Sequence, residues 1–271
     1  MTITVVHATA LTPEDELPRR HAVALVAAAG GVLWSVHTSE VDDPDLEIPD
    51  VMDLMRAWAD ARGVGTEEVG SVEHLRRVER AAADPNDLLL EVIDEIQPDF
   101  VVAGTRARKG VELALMGSTA QALLERARVP VLLLPVGHHG FVDADTGKLR
   151  LHRILVPAGD PQSAQAATDA ATRLGALMGR SIGELLLLHV GDDADAPAVV
   201  LPSDLGWGRR WIRGEGSVVR NVAEVAEHEH VDLIAMASRG HDSLVDSLLG
   251  SHTERVLRRS PCALLAVPLE S

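Results

Sequence analysis

The sequence predicts an α/β fold laid down twice, with a parallel sheet and helices on both of its faces in each half. Three observations predict it. Short apolar runs alternate with stretches whose apolar residues recur at helical spacing. Runs such as Val131-Leu-Leu-Leu-Pro135 and Leu185-Leu-Leu-Leu-His-Val190 are almost wholly apolar, as strands buried on both faces of a parallel sheet require. The third observation is a stretch that occurs twice. Phe100-Val-Val-Ala-Gly104-Thr-Arg106-Ala107 is followed after nine residues by Gly117-Ser118-Thr119. Leu233-Ile-Ala-Met236-Ala237-Ser-Arg239-Gly240 is followed after nine residues by Gly250-Ser251-His252-Thr253. Gly104 and Ala237 are offset by 133, and so are Gly117 and Gly250.

The first half reads in order. Thr2 to His7 is the opening strand and Pro18 to Ala29 the first helix. Val32 to Val36 is a second strand, and Val51 to Ala61 an amphipathic helix. His74 to Val78 is a third strand, Asp84-Pro85 a turn and Asn86 to Ile96 a helix. Phe100 to Ala103 leads into the repeated stretch, and Val131 to Pro135 closes the unit. In the second half, Arg153 to Pro157 is a strand ending in the turn Ala158-Gly-Asp160-Pro161, and Ser163 to Met178 is an alanine-rich helix. Leu185 to Val190 and Arg210 to Arg213 are strands, and Ser217 caps a helix from Val218 to Glu229. Val231 to Met236, a helix after Gly250 and Cys262 to Val267 complete it. His37 and His189 end equivalent strands and are offset by 152, so the first half carries 19 more residues before the repeated stretch, chiefly the helix around Met52 to Arg62. The expected domains are 1–136 and 151–271, with the polar segment 137–150 as linker.

Composition narrows the function. An apolar share of 46% is that of a globular chain. With 41 acidic residues against 25 Lys and Arg, the net charge of −16 disfavours a nucleic-acid partner. Aromatic residues at 2% leave few platforms for stacking bases. No run is apolar enough to span a bilayer and the N-terminus lacks a secretory pattern, so a cytoplasmic protein without a membrane role is expected. Cys262, the sole cysteine, is expected as a buried core thiol. His138-His139 and His228-x-His230 do not have the spacing of a zinc site, and no metal site is expected. No Gly-x-Ser-x-Gly elbow and no Gly-x-x-x-x-Gly-Lys-[Ser/Thr] loop is present, which counts against hydrolase and Walker-type readings.

What remains is anion binding at turns. Small residues let backbone N–H groups approach a ligand, and a helix N-terminus favours negative charge. In an open parallel sheet the crevice lies at the carboxyl ends of the strands, where the strand order reverses. The first-strand turn, the Gly104 or Ala237 turn and the Gly-Ser turn would converge there.

Through the Gly-x-x-Gly, nine-residue, Gly-[Ser/Thr] pattern, Ile154-Leu-Val-Pro157 and Gly250-Ser-His-Thr253-Glu-Arg-Val-Leu257, the chain resembles a tandem member of the universal stress protein family. The resemblance implies two Rossmann-like domains of the adenine nucleotide α-hydrolase type, each with a five-stranded parallel sheet. It implies a stress-response role and binding of ATP, ADP or AMP, with Mg2+ as an optional companion. It also implies pairing through the last strands, as a homodimer or as an intrachain pseudo-dimer. Carried over by position, Met236, Ala237, Arg239 and Gly240 would line ribose and phosphates, and Gly250, Ser251, His252 and Thr253 would bind phosphates. Val190, Pro157 and Ala158 would flank adenine.

Departures from the pattern divide the halves. The first-half set Gly104, Arg106, Ala107, Gly117, Ser118 and Thr119 has alanine where the second motif glycine belongs. A positive φ at Ala107 would cost roughly 1–2 kcal/mol. His7-Ala8-Thr9 offers no acid for adenine. The second half has Gly159 where the family places its adenine-binding Asp, with Asp160 one residue later, which a one-residue slip of the turn would bring to the nucleotide. The expectation is therefore a nucleotide site mainly in the second half and a degenerate one in the first. Without a ligand, the glycines read as tight strand–helix packing and Ser118 and Ser251 as helix caps. A scaffold acting through protein partners is the alternative and slow ATP hydrolysis the third reading; no catalytic residue is assigned.

Overall fold

A computed structural model describes residues 2–41, 45–105, 117–138, 140–177, 183–202, 206–238 and 252–269. The first half contributes β1 (Ile3–Ala8), α1 (Glu16–Ala29), β2 (Gly31–Ser39), α2 (Met52–Arg62), α3 (Thr66–Val69), β3 (Val72–Arg80), α4 (Pro85–Ile96), β4 (Phe100–Thr105), α5 (Ser118–Arg126) and β5 (Val131–Pro135). The second contributes β6 (Arg153–Pro157), α6 (Pro161–Ala176), β7 (Glu184–Val190), β8 (Gly208–Gly214), α7 (Val218–His228), β9 (Leu233–Ser238), α8 (His252–Leu257) and β10 (Ala263–Pro268).

Local chemistry sets the helix ends. Asp84 accepts a hydrogen bond from Asn86 N at 2.9 Å, with Pro85 in the first turn, and α4 begins there. Asp160 accepts from Ser163 N at 2.9 Å ahead of Pro161, and α6 begins there. Gly30, at φ 72°, stops α1 with its N–H on Val26 O.

The strands form one ten-stranded sheet in the order β3-β2-β1-β4-β5-β10-β9-β6-β7-β8. Every pairing within a half is parallel. The halves meet through β5 and β10, which run antiparallel with Leu133 opposite Leu264 and Leu132 opposite Leu265. The last strands of the two halves thus lie at the centre of the sheet, and β3 and β8 form its edges.

Alternating strand residues feed two cores. On one face Val5, Phe100, Leu132, Leu265, Ala235 and Ile154 pack with α1 and α6. On the other Val6, Val101, Leu133, Leu264, Ile234 and Leu155 pack with α4, α5, α7 and α8. Both cores run across the β5–β10 seam. Each fully buried Leu, Val or Phe side chain contributes roughly 1.5–3 kcal/mol relative to leaving it in water.

The segment between the halves is packed, although its composition reads as polar. Phe141, Val142 and Leu151 are buried, and Val142 bridges Leu149. Phe141 N donates to His21 Nε2 at 3.0 Å, and Trp58 Nε1 donates to Ala144 O at 3.0 Å. A few apolar residues in a polar run suffice to anchor it. Cys262 is buried as expected, and burial pushes its thiol up to about 12. No helix among the described residues is long and apolar enough to cross a membrane.

Candidate functional site

β1 lies between β2 and β4, and β6 between β7 and β9, so the strand order reverses at β1 and at β6. A crevice forms at the carboxyl ends in the first half. Its volume is about 760 Å³, and the ends of β1, β2 and β4 and the start of α5 line it. Thr9 N donates to Val36 O at 2.9 Å, and His37 Nδ1 donates to Thr9 O at 2.8 Å. The turn after β1 is thereby tied to the end of β2.

The far wall is a helix N-terminus. Gly117 is the N-cap of α5 in an extended conformation, φ −66° and ψ 153°. Glycine has no side chain to cap the helix, so the first N–H groups, at Ser118 and Thr119, open on the cleft. Gly104 also lines the crevice, and its small size has a packing reason: a Cβ there would lie 3.3 Å from Pro18 Cγ.

The crevice contains an acid that inspection of His7-Ala8-Thr9 misses. Asp15 Oδ2 accepts from Thr9 Oγ1 and from Thr12 N, each at 3.0 Å, and Asp15 lines the cleft. A 3-10 turn, Pro13–Asp15, brings it back over β1. The available signal was Thr12-Pro-Glu-Asp15, a cap residue with an acid three residues on. Behind the crevice His7 is 1% exposed and neither ring nitrogen has a hydrogen-bond partner. Burial holds its pKa down at about 4.

The second half repeats the turn geometry. Ala158 N donates to Leu188 O at 2.8 Å, and His189 Nδ1 donates to Ala158 O at 2.9 Å. Pro157 and Val190 end β6 and β7 beside this turn, while Met236 and Ala237 lie in β9. Asp160 caps α6: its Oδ1 accepts from Ser163 N and its Oδ2 from Ser163 Oγ at 2.7 Å. His252 and Thr253 open α8, His252 exposed and Thr253 buried. Arg239, Gly240, Gly250 and Ser251 lie outside the described residues, as do Arg106 and Ala107 of the first half. Among the described residues no three His, Cys, Asp or Glu side chains gather as metal ligands.

Comparison with known proteins agrees with this architecture. The universal stress protein Sll1654 of Synechocystis sp. is 28% identical over 142 residues, covering 45% of this chain and 88% of that protein. A universal stress protein from Archaeoglobus fulgidus shares the fold at a TM-score of 0.66 and 20% identity, covering 98% of both chains. A functionally unknown protein from Pseudomonas aeruginosa PAO1 does so at a TM-score of 0.59 and 12% identity, covering 98% of this chain and 92% of that one. The pattern of the universal stress protein family matches residues 1–135 and 206–268. A match over most of the chain, together with a Rossmann-like arrangement of five parallel strands in each half, establishes that the chain belongs to the universal stress protein family.

Proposed function

We propose that this chain binds ATP or a related adenine nucleotide at the carboxyl ends of its strands, with the principal site in the second half. Binding sets a conformational or association state, and the chain serves as a cytoplasmic regulator in a stress response. The observation that carries nucleotide binding is the first-half crevice of about 760 Å³, with the uncapped N-terminus of α5 in one wall and Asp15 in another. Its volume falls in the range of ligand pockets, roughly 300–1,000 Å³. Phosphates would take the N–H groups at Ser118 and Thr119, where the helix dipole favours negative charge. A carboxylate such as that of Asp15 accepts from an amino or hydroxyl group of the nucleoside.

The preference for the second half rests on its motif. It has glycine at 240 where the first half has Ala107, and Thr253 where the first half has Ala120. Mg2+ would accompany the phosphates of ATP. No group in the described crevice is placed as a general base, so weak ATP hydrolysis is the most this reading includes.

The test is calorimetric titration of ATP into the wild-type chain and into the variants Ser251→Glu and Ser118→Glu. A carboxylate at the phosphate position repels the ligand. Loss of binding in Ser251→Glu with retention in Ser118→Glu is expected; wild-type affinity in both rejects the site. The scaffold reading keeps one observation in its favour, since the Asp160 carboxylate serves as the α6 cap. In that reading the chain acts through partners and through the β5–β10 pseudo-dimer.

A further inference from the structure

Beside the seam, the carboxyl ends of the two halves are not equal. An approximate twofold axis passes between β5 and β10. Leu132 lies opposite Leu265, and these two residues are related by the same offset of 133 as the repeated stretches. The two strands run antiparallel, so the start of β5 lies beside the end of β10, and the start of β10 beside the end of β5. Each half thereby delivers the turn ahead of its last strand to the carboxyl end of the other half.

The two turns carry different residues. Val131 pairs with Ala266, and continuing that register sets Val129 opposite Pro268, with Arg128 one residue before it. Pro268 pairs in turn with Ser238 at the end of β9, and Leu269 N donates to Ser238 O at 3.1 Å. Val129, Pro268 and Ser238 thus form a row across the sheet. Two strand spacings, roughly 10 Å, separate Val129 from Ser238. By alternation with Met236 and Ala266, Ser238 and Pro268 face the side of the sheet against which Val129 packs. A cavity of about 530 Å³ follows the row, and Arg128, Val129, Pro268 and Ser238 all line it. Arg128 is exposed. On the other side of the axis, the same register sets Cys262 opposite Pro135, which pairs with Thr105 of the first-half crevice. The residue equivalent to Arg128 there is Pro261.

In the nucleotide reading, on which this inference rests, adenine lies at the ends of β6 and β7 and the phosphates at the end of β9. The sheet order continues from β9 to β10 and then to β5. A phosphate chain directed away from adenine therefore runs toward Arg128. A guanidinium meets phosphate oxygens in a forked, charge-assisted geometry.

We propose that Arg128, supplied by the first half, binds the terminal phosphates of a nucleoside triphosphate held in the second half. The contact selects a triphosphate over a monophosphate and ties the nucleotide to the β5–β10 seam. The first-half crevice has a proline at the matching place and lacks the contact.

The experiment is calorimetric titration of ATP and, separately, of AMP into the full chain and into the variants Arg128→Ala and Arg126→Ala. Arg126 lines the same cavity, but it pairs with Asp87 at 2.6 Å and has an equivalent in Arg259. Arg128→Ala weakens ATP binding by about tenfold and leaves AMP binding at the wild-type level. Unchanged AMP affinity also shows that the variant keeps its fold and its site. Arg126→Ala changes neither, which separates a contact from the loss of one positive charge. Wild-type ATP affinity in Arg128→Ala overturns the proposal and leaves the nucleotide reading standing. Equal losses for ATP and AMP, or an equal loss in Arg126→Ala, overturn it as well. A wild-type chain that binds neither nucleotide overturns both the proposal and the reading beneath it.

Discussion

The two halves share a sheet order and differ in the turn that follows the first strand of each. In the first, a 3-10 turn carries Asp15 back over β1, where Thr9 and Thr12 hold its carboxylate against the cleft. In the second, no such turn intervenes, and Asp160 is used at once as the cap of α6. The edge strands are tied alike. Ahead of α2, Ile48 O accepts from Arg76 Nη1 of β3, and Ser35 Oγ lies 2.9 Å from His74 Nε2. The matching positions on β8, by register from His37 and His189, are Arg209 and Trp211, and Trp211 is 38% exposed. The second half ties its edge similarly, Arg209 Nη1 donating to Val199 O at 3.0 Å, and Val78 on β3 is 47% exposed. A crevice shaped by added structure and a motif kept in the sequence are separate properties, and here they fall to different halves.

The largest expected effect sharpens that contrast. Trp58→Ala removes a fully buried side chain that only the first half has reason to hold, and with it the anchor of the connector. A loss of about 3–5 kcal/mol of stability is expected in chemical denaturation. A loss below 1 kcal/mol would mean that the connector and α2 are dispensable.

Acid should act chiefly on the first half. Burial holds both His7 and His21 at about 4, against an ordinary value of 6.5. The unfolded chain therefore binds more protons between these values, and stability falls as pH drops from 6.5 toward 4. Full expression is on the order of 3 kcal/mol per histidine. The position equivalent to His7 in the second half is Val156, so a His7→Val chain should show a shallower loss of stability with acid. An unchanged pH profile in that variant would assign the loss to other groups.

Next in size is the test between the crevices. Ser251→Glu should weaken nucleotide binding by about 100-fold, or 2.7 kcal/mol, and Ser118→Glu should leave the principal affinity unchanged. The reverse outcome would move the site to the first half. The smallest effect concerns the two acids. Asp160→Ala should cost about 1 kcal/mol of stability through loss of the helix cap, with nucleotide affinity kept. A large drop in affinity without loss of stability would show that Asp160 serves the ligand instead.

Much of this fold is legible in the sequence because its strands are buried on both faces. Val131–Pro135 and Glu184–Val190 could only lie inside a covered sheet, and helix boundaries follow from Asp84-Pro85, Asp160-Pro161 and Gly30. The connector was less legible, since Phe141 and Val142 are isolated in a polar run and their burial depends on His21 and α2, distant in sequence. α3 escaped notice because four residues do not display a helical period. Asp15 was missed for a related reason: its reach into the crevice depends on a turn whose course local pattern does not reveal.

The central claim is that the chain holds an adenine nucleotide, chiefly in one half. Its most direct test is to heat-denature the purified protein and measure the nucleotides released per chain by chromatography. About one adenine nucleotide per chain is expected, absent from Ser251→Glu and present in Ser118→Glu. No released nucleotide, together with no binding of added ATP, would contradict the account and leave the chain as a scaffold.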